Sequence, residues 1–210
     1  PRIAVLPLFA LQADARLRLI ADAVAQEVIL ELSRLHWLFV IARGSSFQFR
    51  GQDVDHARVG EVLGVDYLLT GTILQSGRKV EIAVELSRVP DRNVVWAERF
   101  GTPVGEVMRM RQTLAGEIVG ALEPRLQLFE AMQAAKVPTE HLDAWASYHR
   151  GLWHMFRFNA RDNEVAAGLF ERATSIDPSF ARAHAGLSFT HFQNAFLGFK
   201  RDAKSEIELT

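Results

Sequence analysis

The sequence predicts a chain in two parts: an α+β domain, with a small mixed sheet and flanking helices, and then an all-helical segment. Three observations carry this. Gly64 closes a short helical pattern, and the apolar run Tyr67-Leu68-Leu69-Thr70-Gly71-Thr72-Ile73-Leu74 follows at once. Val80, Ile82, Val84 and Leu86 then alternate with Glu81, Ala83, Glu85 and Ser87, the period of a half-exposed antiparallel strand. From around Val104 onward only helical periodicity is left.

Taken in order, Ile3-Ala4-Val5-Leu6 is a short apolar run that ends at Pro7, as a buried strand would. Leu17, Ile20, Val24, Val28, Leu32 and Leu35 recur at three- and four-residue spacing and form one stripe of an amphipathic helix. Trp37-Leu38-Phe39-Val40-Ile41, aromatic and β-branched, reads as a second buried strand, and Arg43-Gly44-Ser45-Ser46 as a loop. Asp53 and Asp55 both suit the N-cap of the helix that stops at Gly64, where a left-handed residue is easiest for glycine. Gln75-Ser76-Gly77-Arg78 and Pro90-Asp91-Arg92-Asn93 are turn sequences, so the strands around them form a hairpin and a third strand beginning Val94-Val95-Trp96-Ala97. Val107, Met110, Leu114, Ile118 and Leu122 stripe the next helix, which Pro124 should kink or restart because it lacks an amide hydrogen. Pro138 is taken as the boundary, giving domains 1–137 and 138–210.

The bulk composition narrows the function. Apolar residues make up 49% of the 210, an ordinary globular value, and the net charge of −1 argues against a broad basic surface for nucleic acid. DNA binding would have to come from a region outside this chain. There is no cysteine, hence no disulfide, thiolate metal site or cysteine nucleophile. No run approaches the roughly 18 apolar residues that cross a bilayer, and no signal peptide is visible. Pro1 rather than Met opens the chain and leads straight into a strand, so we expect an excised piece whose flanks hold the activity.

Two resemblances sharpen the reading. Ile3-Ala4-Val5-Leu6-Pro7, Glu31-Leu32-Ser33-Arg34, Trp96-Ala97-Glu98-Arg99-Phe100 and above all residues 63–72, from Leu63-Gly64-Val65-Asp66 into the strand, resemble the TolB amino-terminal-like α/β domain of multidomain bacterial regulators. Ala166, Phe170, Ala173 and Pro178 stand at the spacing of the second helix of a tetratricopeptide repeat and its closing proline. Trp145, Tyr148 and Gly151 fit its first helix loosely, and Phe180, Ala183, His184, Leu187 and His191 open the next repeat. Phe156–Arg161 looks longer than the usual turn between such helices, and the array is truncated at Thr210. A repeat cannot bury its apolar face alone, so Phe189, Phe192, Phe196, Leu197 and Phe199 should meet a further repeat or form a homodimer.

The search for chemistry ends in packing and capping. The seven histidines lack any His-Glu-x-x-His pair; His149 and His154 lie on different helical faces, while His184 and His191 share one, about two turns apart, at packing positions. Gly71 to Gly77 before Arg78-Lys79 is one residue too long for a phosphate loop and is strand and turn instead. Gly44-Ser45-Ser46 lacks the nucleophile-elbow pattern. Arg43, Ser45, Ser46 and Arg50 form a candidate anion loop. Trp145, Tyr148, Trp153 and Phe156, with Phe158, are repeat core or a candidate surface for a protein or peptide partner, since aromatic rings supply large contact area at low rotamer cost.

The chain is therefore expected to be no enzyme and to need no cofactor or metal. The resemblance implies the sensory or protein-interaction region of a bacterial transcriptional regulator. The alternative is a regulatory region attached to an adenylate or guanylate cyclase domain, and the third reading is a cell-envelope scaffold. A cytoplasmic location is expected, or a periplasmic one if a membrane span precedes residue 1.

Overall fold

In the computed structural model β1 (Arg2–Val5) runs parallel to two neighbours, β3 (Phe39–Val40) on one side and β4 (Tyr67–Ser76) on the other. The structure describes residues 1–51, 54–136 and 142–199. Asp53, Pro138, His141 and the boundary at 137–138 lie outside them. The chain divides into two units, Pro1–Arg125 and Leu126–Thr210.

In the first unit the sheet order is β3-β1-β4-β5-β6, with β5 (Lys79–Arg88) and β6 (Val94–Pro103) continuing β4 as an antiparallel meander. The predicted mixed sheet with flanking helices is thus present. Strand β2 (Phe9–Ala10), which the sequence reading missed, lies parallel to Thr72 and Ile73 of β4. It extends the line of β1 after an interruption. Leu6 N–H still donates to Leu69 O at 2.9 Å, Pro7 has no hydrogen to give, and Leu11 N–H resumes with Ile73 O at 3.0 Å. Leu8 at the break packs over Gly71, where a Cβ would come 2.9 Å from its Cδ2 and 2.4 Å from Ala83 O. Only glycine fits there. Pro7 therefore interrupts the strand instead of ending it.

Helix α1 (Ala15–Leu32) is capped by Asp14, whose carboxylate accepts from Arg16 and Leu17 N–H. Its buried residues include the expected Leu17, Ile20, Val24, Val28 and Leu32, but Leu35 falls in the turn after the helix. The second strand is shorter than expected: Trp37 and Leu38 enter the core from that turn, and Phe39 on this edge strand is 71% exposed. Residues Arg43–Ser46, expected as a loop, form a single helical turn, α2. Helix α3 (His56–Leu63) has Asp55 as N-cap and ends on Gly64 at φ +60°, the left-handed conformation anticipated for it. Helix α4 (Val107–Ala134) carries Pro124 inside it and does not restart there.

The second unit contains α5 (Ala144–Met155), α6 (Ala160–Ile176) and α7 (Ala181–Phe196), after the last part of α4. The suspected long turn between α5 and α6 spans residues 156–159 only, because Asn159 caps α6 through Asp162 N–H and Ala160 is already helical. At the centre is Phe170, fully buried, with Tyr148, Met155, Ala166, Ala173 and Ala183 around it. Its ring occupies a slot between Gly151 on α5 and Gly186 on α7: a Cβ on either would approach the ring to 2.6 or 2.8 Å. Three helices are thus keyed by one side chain. His184, expected at a packing position, is exposed instead, and its Nε2 lies 3.0 Å from Pro178 O; the buried face of α7 runs through Ala183, Gly186 and Thr190.

Phe170→Ala is expected to destabilise the helical unit by about 3–5 kcal/mol, the usual loss for an emptied aromatic site. Gly151→Ala and Gly186→Ala should each lower stability through overlap with the ring. Chemical unfolding followed by tryptophan fluorescence measures all three, and full stability in both glycine variants would disprove the slot.

Candidate functional site

The route of the chain through the sheet builds a cleft in the first unit. From β1 the chain crosses through α1 to β3, then turns back across β1 through α3 to β4. Right-handed crossovers in opposite directions place α1 and α3 on opposite faces. Helix α3 covers only the start of its face, where Val59 and Val65 pack on Ala4, Leu6 and Leu68. Beyond it the meander lies open. Two cross-strand rows share that face: Thr70, Glu85 and Ala97, then Thr72, Ala83 and Arg99. Leu6, Pro7 and Phe9 line it together with Gly51, Val54 and His56, forming an open cleft of about 420 Å³. Pro7, Phe9 and Gly51 also border an adjoining cavity of about 490 Å³. Both are lined by Pro7, just past the carboxyl end of β1. His56 Nδ1 lies 3.3 Å from Ser87 Oγ, which fixes the imidazole at the rim.

None of this cleft was singled out from sequence as a site. Glu85 was legible only as the polar face of an alternating strand. The signal that existed was the run of small residues on that face, Thr70, Thr72, Ala83 and Ala97, which leaves room above the sheet.

The candidate anion loop is brought partly together. Arg43 and Arg50 both lie over the Phe47 ring, their guanidinium carbons 4.3 and 5.2 Å from its centroid. Arg50 makes a two-pronged pair with Asp22 at 2.9 and 3.0 Å, which raises its pKa further. Ser46 is buried with its hydroxyl near Ala42 and Arg43 carbonyls, while Ser45 is exposed. Arg50 thus already holds a carboxylate.

The aromatic set separates into two groups. Trp145 donates to Glu130 at 2.7 Å and stacks with Phe180 at 6.2 Å; Tyr148 is buried beside both Phe170 and Phe180. Trp153 carries the Arg157 guanidinium 3.5 Å above its ring, and Phe156 is 62% exposed. Below Trp153, Asp162 gathers His154 at 2.6 Å, Asn159 at 2.7 Å and Arg157 at 3.3 Å. Hydrogen bonds from Asn159 and His154 hold that carboxyl down at about 2. Among the described residues no three histidine, cysteine or acidic groups stand close enough to hold a metal ion.

His149 is fully buried, and burial pushes its imidazole down to about 3. Neither ring nitrogen makes a well-aligned hydrogen bond, and the Gln127 backbone supplies only a weak one. The Trp145 ring lies 4.2 Å away, centroid to centroid, and Arg182 further disfavours the charged form.

Residues 2–117, more than half of the chain, match the model of the HilA/YgeH-like transcriptional regulator second domain, and the chain belongs to that family. A relative in Rhizobium meliloti (strain 1021), named "Putative adenylate cyclase 3", is 30% identical over 205 residues; the match takes in 96% of this chain and 35% of that protein. The chain thus spans about a third of that relative's length. Among solved structures, TolB from Acinetobacter baumannii is 20% identical with a TM-score of 0.40, over 58% of this chain and 28% of that one. A lipoprotein from Neisseria meningitidis is 15% identical with a TM-score of 0.41, over 58% and 98%. Likenesses this partial bear on neither function nor partners. No helix among the described residues is long and apolar enough to cross a membrane.

The pKa of His149 has a consequence for stability. The unfolded chain binds a proton at this imidazole below about 6.5, while the folded chain refuses it until about 3. Stability is therefore full above 6.5 and declines as pH falls through that window, with a slope of about 1.4 kcal/mol per pH unit for one proton. His149→Leu should flatten this decline in a series of unfolding curves. An unchanged slope would show that the imidazole is not the group responsible.

Proposed function

We propose that this chain is the non-catalytic, regulatory region of a bacterial transcriptional regulator, working by binding a ligand or a protein partner. The observation that carries the reading is the family match over residues 2–117. Supporting it, several polar side chains of the helical unit serve caps and interhelical bonds. Asn163 donates to Thr190 O and Asn194 Oδ1 at 2.9 and 2.7 Å, and Asp143 and Asn159 cap α5 and α6. The first unit is read as TolB-like, and the helices as tetratricopeptide-like repeats. Gly151-Leu152 and Gly186-Leu187 recur 35 positions apart, with Trp145 and Phe180 at the same offset, and both glycines face Phe170. Such an array offers a face to a protein or peptide, with Trp153 and Phe156 as candidate contacts. Binding that favours one arrangement of the region would bias an effector domain elsewhere in the polypeptide, which would carry any DNA contact.

A second reading has its own support in the relative named as an adenylate cyclase: the same region would then regulate a cyclase catalytic domain.

The test uses the full-length protein, purified and in its host. Chromatin immunoprecipitation should recover specific promoters, and transcription from them should change when Phe170→Ala disrupts the helical unit. Cyclic nucleotide made from ATP or GTP, with no promoter recovered, would instead establish the second reading.

A further inference from the structure

Of the charged side chains on the open meander face, Glu85 and Arg99 line the cleft, whereas Lys79 and Glu81 share the face outside its lining. Glu85 and Arg99 stand on adjacent strands, diagonal to one another on one face of the sheet, because Glu85 pairs with Ala97 and Arg99 with Ala83. Such diagonal neighbours are about 7–8 Å apart along the backbone, within reach of long side chains. Yet neither forms an ion pair with the other or with any further group among the described residues. Between the two charges the floor is kept low by Ala83 and Ala97, and the Phe9 wall supplies an apolar surface. The cleft's volume of about 420 Å³ lies within the range of small-molecule sites.

We propose that this cleft binds a free α-amino acid with an apolar side chain. The ligand's carboxylate meets the Arg99 guanidinium, whose planar fork suits it, and its ammonium meets the Glu85 carboxylate. The Thr70 and Thr72 hydroxyls supply further hydrogen bonds, and the apolar side chain lies against Phe9. A phosphorylated or polyanionic ligand would be opposed by Glu85, and a simple cation by Arg99. The interior of a peptide has neither free terminus to offer. This deepens the ligand-sensing half of the proposed function and rests on it for its biological meaning. Binding is read on the chain itself without any transcriptional signal, so its failure leaves the regulatory reading intact.

Isothermal titration of the 210-residue chain with L-leucine, L-isoleucine, L-valine, L-methionine and L-phenylalanine tests it. At least one should bind, and its N-acetyl and amide derivatives, each lacking one charge, should bind about tenfold or more weakly. Glu85→Gln and Arg99→Gln should each weaken binding by a similar factor. Ala97→Leu, which fills the floor without touching a charge, should abolish it; Ala97 is exposed, and circular dichroism checks that every variant is folded. No heat from any of the five at millimolar concentration overturns the proposal. Binding that the derivatives retain, or that survives all three substitutions, overturns it equally.

Discussion

Strand β4 is the constraint on which the first unit depends, and the contact of Leu8 with Gly71 is its critical point. Along one edge β4 pairs first with β1 and later with β2; along the other it pairs with β5 for its whole length. The chain can leave and rejoin that first edge only because Pro7 needs no hydrogen-bond acceptor and Gly71 leaves room for Leu8. A side chain at position 71 would meet the backbone of β5 as well as Leu8. The same interruption sets Pro7 and Phe9 beside the open face, so the feature that completes the sheet also raises one wall of the cleft.

The helical unit solves a different problem with the same economy of space. Helices without long-range backbone pairing must be located by side chains alone, and here one phenyl ring between two glycines does most of the locating. Buried polar groups add direction to that packing. Asn163 reaches two groups on α7, and Gln193 on α7 reaches back to Met155 O at 3.4 Å. His149 is an imidazole kept neutral by burial with little hydrogen bonding to compensate, which makes it an acid-sensitive point of the core.

Charge is distributed along the same lines. Asp14, Asp55, Asp143 and Asn159 cap helices, and Asp162 ties the α5–α6 turn together, so these side chains serve local structure. Surface pairs such as Arg50 with Asp22 contribute little stability, about 0–1 kcal/mol each, but they do occupy the side chains involved. Glu85 and Arg99 have no such occupation, and they line the cleft.

Much of this fold is determined locally and was therefore readable from sequence. Asp55 and Gly64 bound α3 because a cap and a left-handed terminus are properties of single residues. The meander announced itself because a sheet covered on one face and open on the other must alternate, and Phe170, Gly151 and Ala166 kept helical spacing because they share a core. Tertiary structure alone decided the rest. Strand β2 has two residues and exists only as a partner of β4; Arg43–Ser46 curls into a turn of helix against its surroundings; Trp37 and Leu38 reach the core from outside any strand. The cleft belongs to this second class: its floor joins three strands and its walls come from segments more than forty positions apart, such as Phe9 and Val54. Periodicity records which face of an element is buried, but it carries no information about which elements become neighbours, and a binding surface is made of neighbours.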